Sequence, residues 1–541
     1  MNSSSIAVPR RLAGLLAGGL ALSAALPAQA GVTDNLATSA TAMAMGNAVT
    51  ADPPGIESIH FNPAGLARLK GTHNIDTVFI ASIRNPNKFV TAPDIDIGGF
   101  KDDPINGTSS GPVRQAVAIP FLGVPKARLP GVMVPGLGFS YNAPGSKWTF
   151  GTLAYLSQAM SVDRTKDPND PARFDGRLVH LQRLNYLSPT AAYQVSDTLR
   201  IGLAVPIAYA NFAINTDFRA PNKLLGTVGQ LQRALCPDGN GTVIDTLTFG
   251  LCGGGPEAMV DPFKRAANID FDMHTSFDPT FNIGFLWEPK KWFAFGMVYQ
   301  GGSDTAFRGR YTVHADPMLR GFVHGLNSSL LGPIVGAITG MPVDIPEYQS
   351  GNMSARIPFP WRVQAGVKLM ATDYVQLNAD VSYADWNKWS QLTFEFDQSV
   401  KLLEMARLFG YANSRQATFK MGFKSVLNYS FGTQINVTKK LSLRAGYEPR
   451  KSSIPGNQMS LLAPLPDTKL KSLGLRYKFD DGGEVNLTGS YMKGSYNIPA
   501  RSDCNLNCDD FFNLIYNPYA ATTVSGSLIV RYFGASYSRP Y

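Results

Sequence analysis

Few residues in this chain are placed to make or break a covalent bond. Gly107-Thr108-Ser109-Ser110-Gly111 has the G-x-S-x-G spacing that can present a serine as a nucleophile. That chemistry needs a sharp strand-to-helix turn, whereas Pro104, Asn106 and Pro112 make this stretch a polar loop. The histidines, His60, His73, His180, His274, His314 and His324, are scattered, with no pair at metal-ligand spacing on a predicted helix. Gly253-Gly254-Gly255 is followed by proline and lacks a phosphate-loop lysine. No catalytic residue, metal or cofactor is expected. The four cysteines fall as Cys236/Cys252 and Cys504/Cys508, a pattern that predicts two local disulfides in an oxidising compartment.

The leader supplies such a compartment. Arg10 and Arg11 form a basic end, Leu12 to Ala25 an apolar run, and Ala28-Gln29-Ala30 a small-residue cleavage site, so residues 1–30 read as a signal peptide and the mature chain begins at Gly31. The run is shorter than the roughly 20 apolar residues of a spanning helix, and Pro27 follows it. Loss of Arg10 and Arg11 takes the formal charge from +9 to +7. Without a Lys/Arg block nucleic acid is not an expected partner, and the excess suits loops facing anionic lipid and lipopolysaccharide headgroups. No later stretch reaches spanning-helix length without charge, so 31 Phe, 21 Tyr and 52 Gly point to an all-β protein.

From Ile75 onward amphipathic runs are joined alternately by short and long connections. The short ones are Asn142-Ala143-Pro144-Gly145-Ser146, Val195-Ser196-Asp197-Thr198, Glu288-Pro289-Lys290-Lys291, Ala371-Thr372-Asp373, Thr438-Lys439-Lys440 and Asp480-Asp481-Gly482-Gly483, all with turn chemistry. Long connections run over about 84–130, 163–177, 219–269, 315–352, 397–420, 452–467 and 498–521. Six turns and seven loops join fourteen strands, and that asymmetry predicts a 14-stranded antiparallel transmembrane β-barrel over 73–541 with both termini on the periplasmic side. Val375, Leu377, Ala379, Val381 and Tyr383 alternate with Gln376, Asn378, Asp380 and Ser382, apolar toward the bilayer and polar toward the lumen. A soluble β-sandwich shares this period but not the loop asymmetry. Trp148, Trp287 and Trp292 sit near the short turns, as an aromatic girdle would. Parity breaks within Trp148 to Val162, and the last strand shifts from Val524, Leu528, Val530 and Tyr532 to Phe533 and Tyr537. Tyr541 supplies the final aromatic read by barrel-assembly machinery.

Residues 31–72 are too short and too weakly apolar to form a core, and Asn62-Pro63 initiates a compact bend, so this segment reads as a plug that needs the barrel's walls. Gly46-Asn47-Ala48, Ala51-Asp52 and Asn62-Pro63-Ala64-Gly65-Leu66, then Pro358-Phe359-Pro360-Trp361 with Asp380-Val381-Ser382-Tyr383-Ala384-Asp385-Trp386, then Leu443-Arg444-Ala445-Gly446-Tyr447-Glu448-Pro449 with Leu465-Pro466-Asp467, follow one another in an order that resembles the FadL/TodX family. The resemblance implies an N-terminal hatch inside the barrel, of which Asn62, Pro63, Ala64, Gly65 and Leu66 are the motif. It implies a monomeric outer-membrane channel for passive diffusion of hydrophobic molecules, with long-chain fatty acids first and neutral hydrocarbons as the alternative. It also implies a lateral opening at the third strand, carried here by Gly151, Leu153 and Tyr155.

Leu224, Leu225, Val228 and Leu231 in the third loop, and Phe322, Leu326, Leu330, Leu331 and Ile334 in the fourth, have amphipathic-helix spacing. By the resemblance they form an outer capture groove; packing on each other or on the barrel rim is the alternative, and the two are not exclusive. A buried carboxylate needs a cation, for which Arg219, Arg308, Arg310, Arg356, Lys368, Lys420, Lys424, Arg444 and Arg476 are candidates by strand position. By the resemblance Asn211, in Ala208-Tyr209-Ala210-Asn211, falls where fatty-acid members carry a basic anchor, which weakens the case for a carboxylate cargo and leaves neutral hydrocarbons open. An outer-membrane lipase built on Ser109 and an adhesin with partner-binding loops are the rival classes.

Overall fold

Side chains that alternate in character along every run leave two unlike faces, and a sheet hides one of them by closing on itself. The computed structural model describes residues 38–541 apart from 120–123, 130–131, 237–242, 244, 246–249, 410–412, 463, 505 and 510–517. The signal peptide and its cleavage point lie outside the described residues. Fourteen antiparallel strands form one closed barrel. β1 is Gly71–Arg84 continued by Asn87–Thr91, β2 is Val132–Asn142 and β3 is Trp148–Asp163. The next seven strands each come in two pieces. β4 is Leu178–Leu187 with Thr190–Gln194, β5 is Leu199–Ala204 with Ile207–Phe218, and β6 is Ala267–Pro279 with Asn282–Lys290. β7 is Phe293–Gln300 with Ser303–Ala315, and β8 is Tyr348–Phe359 with Arg362–Met370. β9 is Val375–Ala384 with Gln391–Phe396, and β10 is Gln416–Lys420 with Val426–Asn436. β11 (Leu441–Arg450), β12 (Thr468–Lys478), β13 (Glu484–Ile498) and β14 (Thr522–Pro540) are continuous. β14 closes the wall on β1, from Pro540 opposite His73 to Ile529 opposite Arg84. All six expected turns join the expected strands.

The breaks in β4 to β10 divide the barrel into two tiers. Pro189, Pro206 and Pro360 stand at three of them, where a missing donor is tolerated. Below the breaks the strand pieces run 5 to 11 residues, several of them near the ~9–11 that cross a bilayer. Here the expected alternation holds: Gln376, Asn378, Asp380 and Ser382 are buried while Leu377 and Val381 are exposed. Trp148, Trp287 and Trp292 are exposed at the short-turn end.

Above the breaks the polarity inverts. Phe307, Tyr311, Val313, Met353, Ile357, Phe359, Leu392 and Phe394 face inward and are buried, while Arg308, Arg310, Asn352, Arg356 and Glu395 face outward and are exposed. The inner residues pack with Phe89 of upper β1 and with Ile105, Phe174, Leu461 and Tyr519 from the outer loops into one apolar core. This inversion corrects the reading of the last strand. β14 keeps one pleat throughout, with Val524, Leu528, Val530 and Tyr532 inward above and Phe533 and Tyr537 outward below.

One fully buried arginine ties the outer loops over that core. Arg219 donates to both Asp103 carboxylate oxygens at 2.9 Å, to Pro518 O at 2.7 Å and to Phe263 O at 3.2 Å, and lies 4.3 Å from the centre of the Phe174 ring. It is therefore a loop anchor and not a cargo contact. Arg219→Leu leaves Asp103 buried without its partner, at a cost of about 3–5 kcal/mol. The expected outcome is a lowered melting temperature with chymotryptic cuts in the outer loops and an intact barrel band on unheated gels.

Candidate functional site

The hatch occupies the lower tier. Its described part contains α1 (Ala40–Ala44), α2 (Ser58–Phe61) and a tight 3-10 turn at Pro63–Arg68. Ser39 caps α1 by accepting from Ala42 N, and Pro63 opens the 3-10 turn at a position where no donor is needed. Asn62 joins everything around it. Its side-chain nitrogen donates to Thr50 O at 2.8 Å and to Phe285 O of β6 at 2.9 Å, and its oxygen accepts from Ala64 N at 3.2 Å. Gly65 has no room for a side chain, since a Cβ there would lie 2.4 Å from Pro53. Leu66 packs with Ile56, Ile59, Leu153 and Tyr155. The motif residues thus bind hatch to hatch and hatch to wall.

The wall answers with amides. Asn378 donates to Ala48 O at 2.8 Å, Gln300 to His60 O at 2.7 Å, Asn282 to Ile59 O at 3.3 Å and Gln364 to Asn47 O at 3.3 Å. Asp380 accepts from Thr50 N at 2.8 Å, and Glu448 from the Asn47 side chain at 2.8 Å. At the base an ionic cluster ties the middle of the hatch to its end and to the wall: Arg68 reaches Asp52 at 2.9 Å and Glu288 at 2.7 Å, and Lys368 reaches Asp52 at 3.3 Å. Burial would raise the Asp52 pKa, but Arg68 and Lys368 outweigh it and hold the carboxyl well below the usual range.

Between these contacts the wall withdraws its side chains at five positions. A Cβ on Gly202, Gly284, Gly296, Gly432 or Gly446 would lie 2.0 to 2.6 Å from hatch atoms at Pro63, Asn62, Thr50, Met45 and Gly46. These lumen-facing glycines are the functional residues that sequence reasoning missed. Their signal was present as glycines on the polar parity of successive strands.

Above the hatch lies a cavity of about 70 Å³ where His60, Tyr155, Arg183, Asn185, Gln300 and Arg362 meet the apolar Pro206, Phe359, Pro360 and Ala384. His60 Nδ1 is 3.1 Å from the Tyr155 hydroxyl, and Arg183 is paired with Asp278 at 2.8 Å. Of the nine expected cations, none is among the residues lining this floor. Arg308, Arg310, Arg356, Lys420 and Lys424 are exposed, Lys368 belongs to the basal cluster, Arg444 bonds Gln434 and Asn486, and Arg476 bonds Ser442. The Asn211 side-chain nitrogen donates to Asp272 and to Met273 O.

Of the lateral-strand residues, Gly151 faces β2 and β4, and Leu153 and Tyr155 are buried against the hatch. The parity break in β3 is a bulge: its register with β4 slips between Leu156 and Gln158, and Ser157 donates to Arg183 O at 3.0 Å. The apolar stretch of the third loop is a helix, α3 (Lys223–Leu235), and that of the fourth is two, α4 (Pro317–Ser328) and α5 (Gly332–Thr339). Leu225, Val228, Phe322 and Leu326 pack into one cluster between the loops, with Leu224 half-buried, whereas Leu231, Leu330, Leu331 and Ile334 are exposed. Cys236 and Cys252 form a disulfide; Cys504 is exposed and Cys508 half-buried. Ser109 bridges Lys88 as extended backbone, so it sits on no strand-to-helix elbow.

Residues 19–530 match the profile of the family described as outer membrane protein transport protein (OMPP1/FadL/TodX). The long-chain fatty acid transport protein of Escherichia coli O6:H1 is 23% identical over 404 residues, which cover 74% of this chain and 75% of that one. The crystal structure of a Pseudomonas aeruginosa FadL homologue is similar with a TM-score of 0.63 at 16% identity, covering 94% of this chain and 100% of that one. The Ralstonia pickettii toluene transporter TbuX gives 0.54 at 13% identity over 93% and 98%. At these identities the structural likeness is one of fold.

Two outcomes follow from the seat of the hatch. Gly296→Val drives a side chain into Thr50 O, so the hatch is expelled while the wall stays paired, and ion conductance through the purified barrel in a planar bilayer is expected to rise several-fold. The second concerns Glu57, buried in the hatch with Ser39 Oγ donating to it at 2.8 Å. Burial pushes its carboxyl up to about 8 from 4.5, against the Ser39 bond. A raised value means that the folded hatch holds the proton more tightly than the unfolded chain. Its contribution is complete below pH 4.5 and is lost as pH rises to about 8. Glu57→Gln, which stays neutral, is expected to gain on the parent between pH 5 and 9, by on the order of 3 kcal/mol at the top, read as a widening difference in melting temperature.

Proposed function

Because the chain belongs to the OMPP1/FadL/TodX family of outer-membrane transporters of hydrophobic compounds, we propose that it admits long-chain fatty acids by passive diffusion. Cargo is captured at the exposed Leu231, Leu330, Leu331 and Ile334, enters the apolar interior of the upper tier, is stopped by the hatch, and leaves sideways through the wall at β3. The observation that carries this reading is the inverted polarity above the breaks. Each methylene moved from water onto such a surface gains about 0.8 kcal/mol, so an acyl chain is drawn into the upper tier with no energy source. The polar floor at His60, Arg183 and Arg362 supports an acidic end of the cargo, since a carboxylate leaves water only beside donors.

Neutral alkanes and aromatic hydrocarbons form the second reading, favoured by Asn211, a neutral side chain whose nitrogen donates to Asp272 and to Met273 O. Family members are transporters, in keeping with a protein that performs no chemistry on its cargo. The expected setting is a monomer inserted by barrel-assembly machinery among lipid and lipopolysaccharide, with Cys504 and Cys508 joined in the last outer loop as Cys236 and Cys252 are in the third. Binding of labelled oleate, tetradecane and toluene to the purified protein separates the readings. Oleate is expected to bind most tightly and to lose at least tenfold in affinity in Arg362→Gln. Tighter toluene or alkane binding, indifferent to Arg362, would select neutral cargo, and no binding of any of the three would overturn the transport route.

A further inference from the structure

The ladder between β2 and β3 stops halfway up the wall. It runs from Tyr141 opposite Phe150 to Leu137 opposite Ala154 and goes no further. Both strands continue: β2 stays paired with β1 to Val132, and β3 stays paired with β4 to Asp163. The slot left between residues 132–136 and 155–162 is flanked by Gln115–Ile119 of the first outer loop, which pairs with Val124–Leu129 and lies near both strands. Arg114 closes it at the top by exchanging two backbone bonds with Asp163, at 2.8 and 2.9 Å. Its inner side is apolar, where Val134 and Leu156 pack with Phe79 and with Ala40 and Met43 of the hatch. Met133 and Leu137 are exposed on the outer side.

Backbone alternation identifies the cause. Gln194 N donates to Lys147 O at 2.9 Å, which turns the odd-numbered peptides of lower β3 toward β4 and the even-numbered ones toward β2. Tyr541 N donates to Thr72 O at 2.9 Å, which turns the odd-numbered peptides of β1 toward β2; across the pair Thr77 and Gly136, the odd-numbered peptides of β2 then face β3. The two derivations agree. After Leu137 and Ala154, the next hydrogen-bonded pair would be Pro135 with Leu156. Proline has no N–H, so the Leu156 carbonyl has no donor from β2 and the ladder ends there. The hatch supplies what the wall lacks: Thr38 Oγ1 donates to Leu156 O at 3.2 Å, a buried bond. The bulge at Ser157 follows at once.

We propose that Pro135 is the residue that keeps the wall open toward the bilayer, and that the Thr38 hydroxyl, by taking the carbonyl Pro135 leaves over, is the hatch's hold on that opening. This rests on the lateral route described above. Uptake of labelled oleate and toluene by cells carrying each variant tests it, beside binding to the purified protein. Pro135→Val supplies the N–H, so the ladder extends, uptake falls at least tenfold and affinity stays within twofold. Thr38→Val frees the opening and raises uptake several-fold, and Thr38→Ser behaves as the parent. A third protein carries Met133→Cys and Ala159→Cys in a Cys504→Ser, Cys508→Ser background, with a short bis-maleimide joining the new thiols across the slot. If this protein loses uptake while Pro135→Val and Thr38→Val match the parent, the lateral route stands and the roles of Pro135 and Thr38 fall. If the cross-linked protein transports as the parent does, the lateral route falls and the proposal with it. Should Pro135→Val yield no barrel band, Thr38→Val decides, and parent-like uptake then overturns the hold.

Discussion

The whole lower tier depends on bringing two backbones into contact. A plug sealed by side chains would need dozens of them to fit at once. Here the wall instead withdraws its side chains at Gly202, Gly284, Gly296, Gly432 and Gly446, and the hatch lies directly on the strands. Close approach then makes short hydrogen bonds possible, and the wall's Asn and Gln side chains fill the gaps between glycines by donating to hatch carbonyls. The hatch has few backbone bonds of its own beyond two short helices and a tight turn. It is folded by the barrel as much as it closes it.

Inverted polarity follows from the same economy of surfaces. Below the breaks the outside is hydrocarbon and the inside is a polypeptide with unsatisfied carbonyls, so apolar residues face out and amides face in. Above the breaks the outside is wet, the inside is packed by outer loops, and the alternation runs the other way. In β14 one pleat runs through both tiers, whereas in β7 and β8 the breaks also shift the inward parity, from Val298 and Gln364 below to Phe307 and Ile357 above.

Much of the fold was legible because turn chemistry is local. Asp481-Gly482-Gly483 or Thr438-Lys439-Lys440 announces a turn whatever surrounds it, and six such turns fix fourteen strands. The change from Tyr532 to Phe533 in β14 was visible too, but a single pattern for the whole strand turned it into a shift of register; the wall had changed solvent instead. The site was less legible, because its decisive feature is missing atoms. Glycine in a strand also marks bulges and bends, so Gly296 and Gly432 do not declare what lies against them. Arg183 and Arg362 escaped notice for a related reason: their place at the floor comes from strand breaks, and Pro360 beside Arg362 marks a break without showing what gathers there.

Two tiers with opposite faces give one protein two kinds of solvation. The outer tier holds an aromatic interior beneath a charged exterior, as any water-soluble sandwich does, and its cohesion does not depend on the surrounding amphiphile. The inner tier presents Leu377, Val381, Phe431 and Leu473 to whatever encircles it, so its stability follows the chain length and headgroup of the detergent chosen. A purified sample moved between micelles of different thickness would therefore soften from the periplasmic end while its extracellular crown kept its shape.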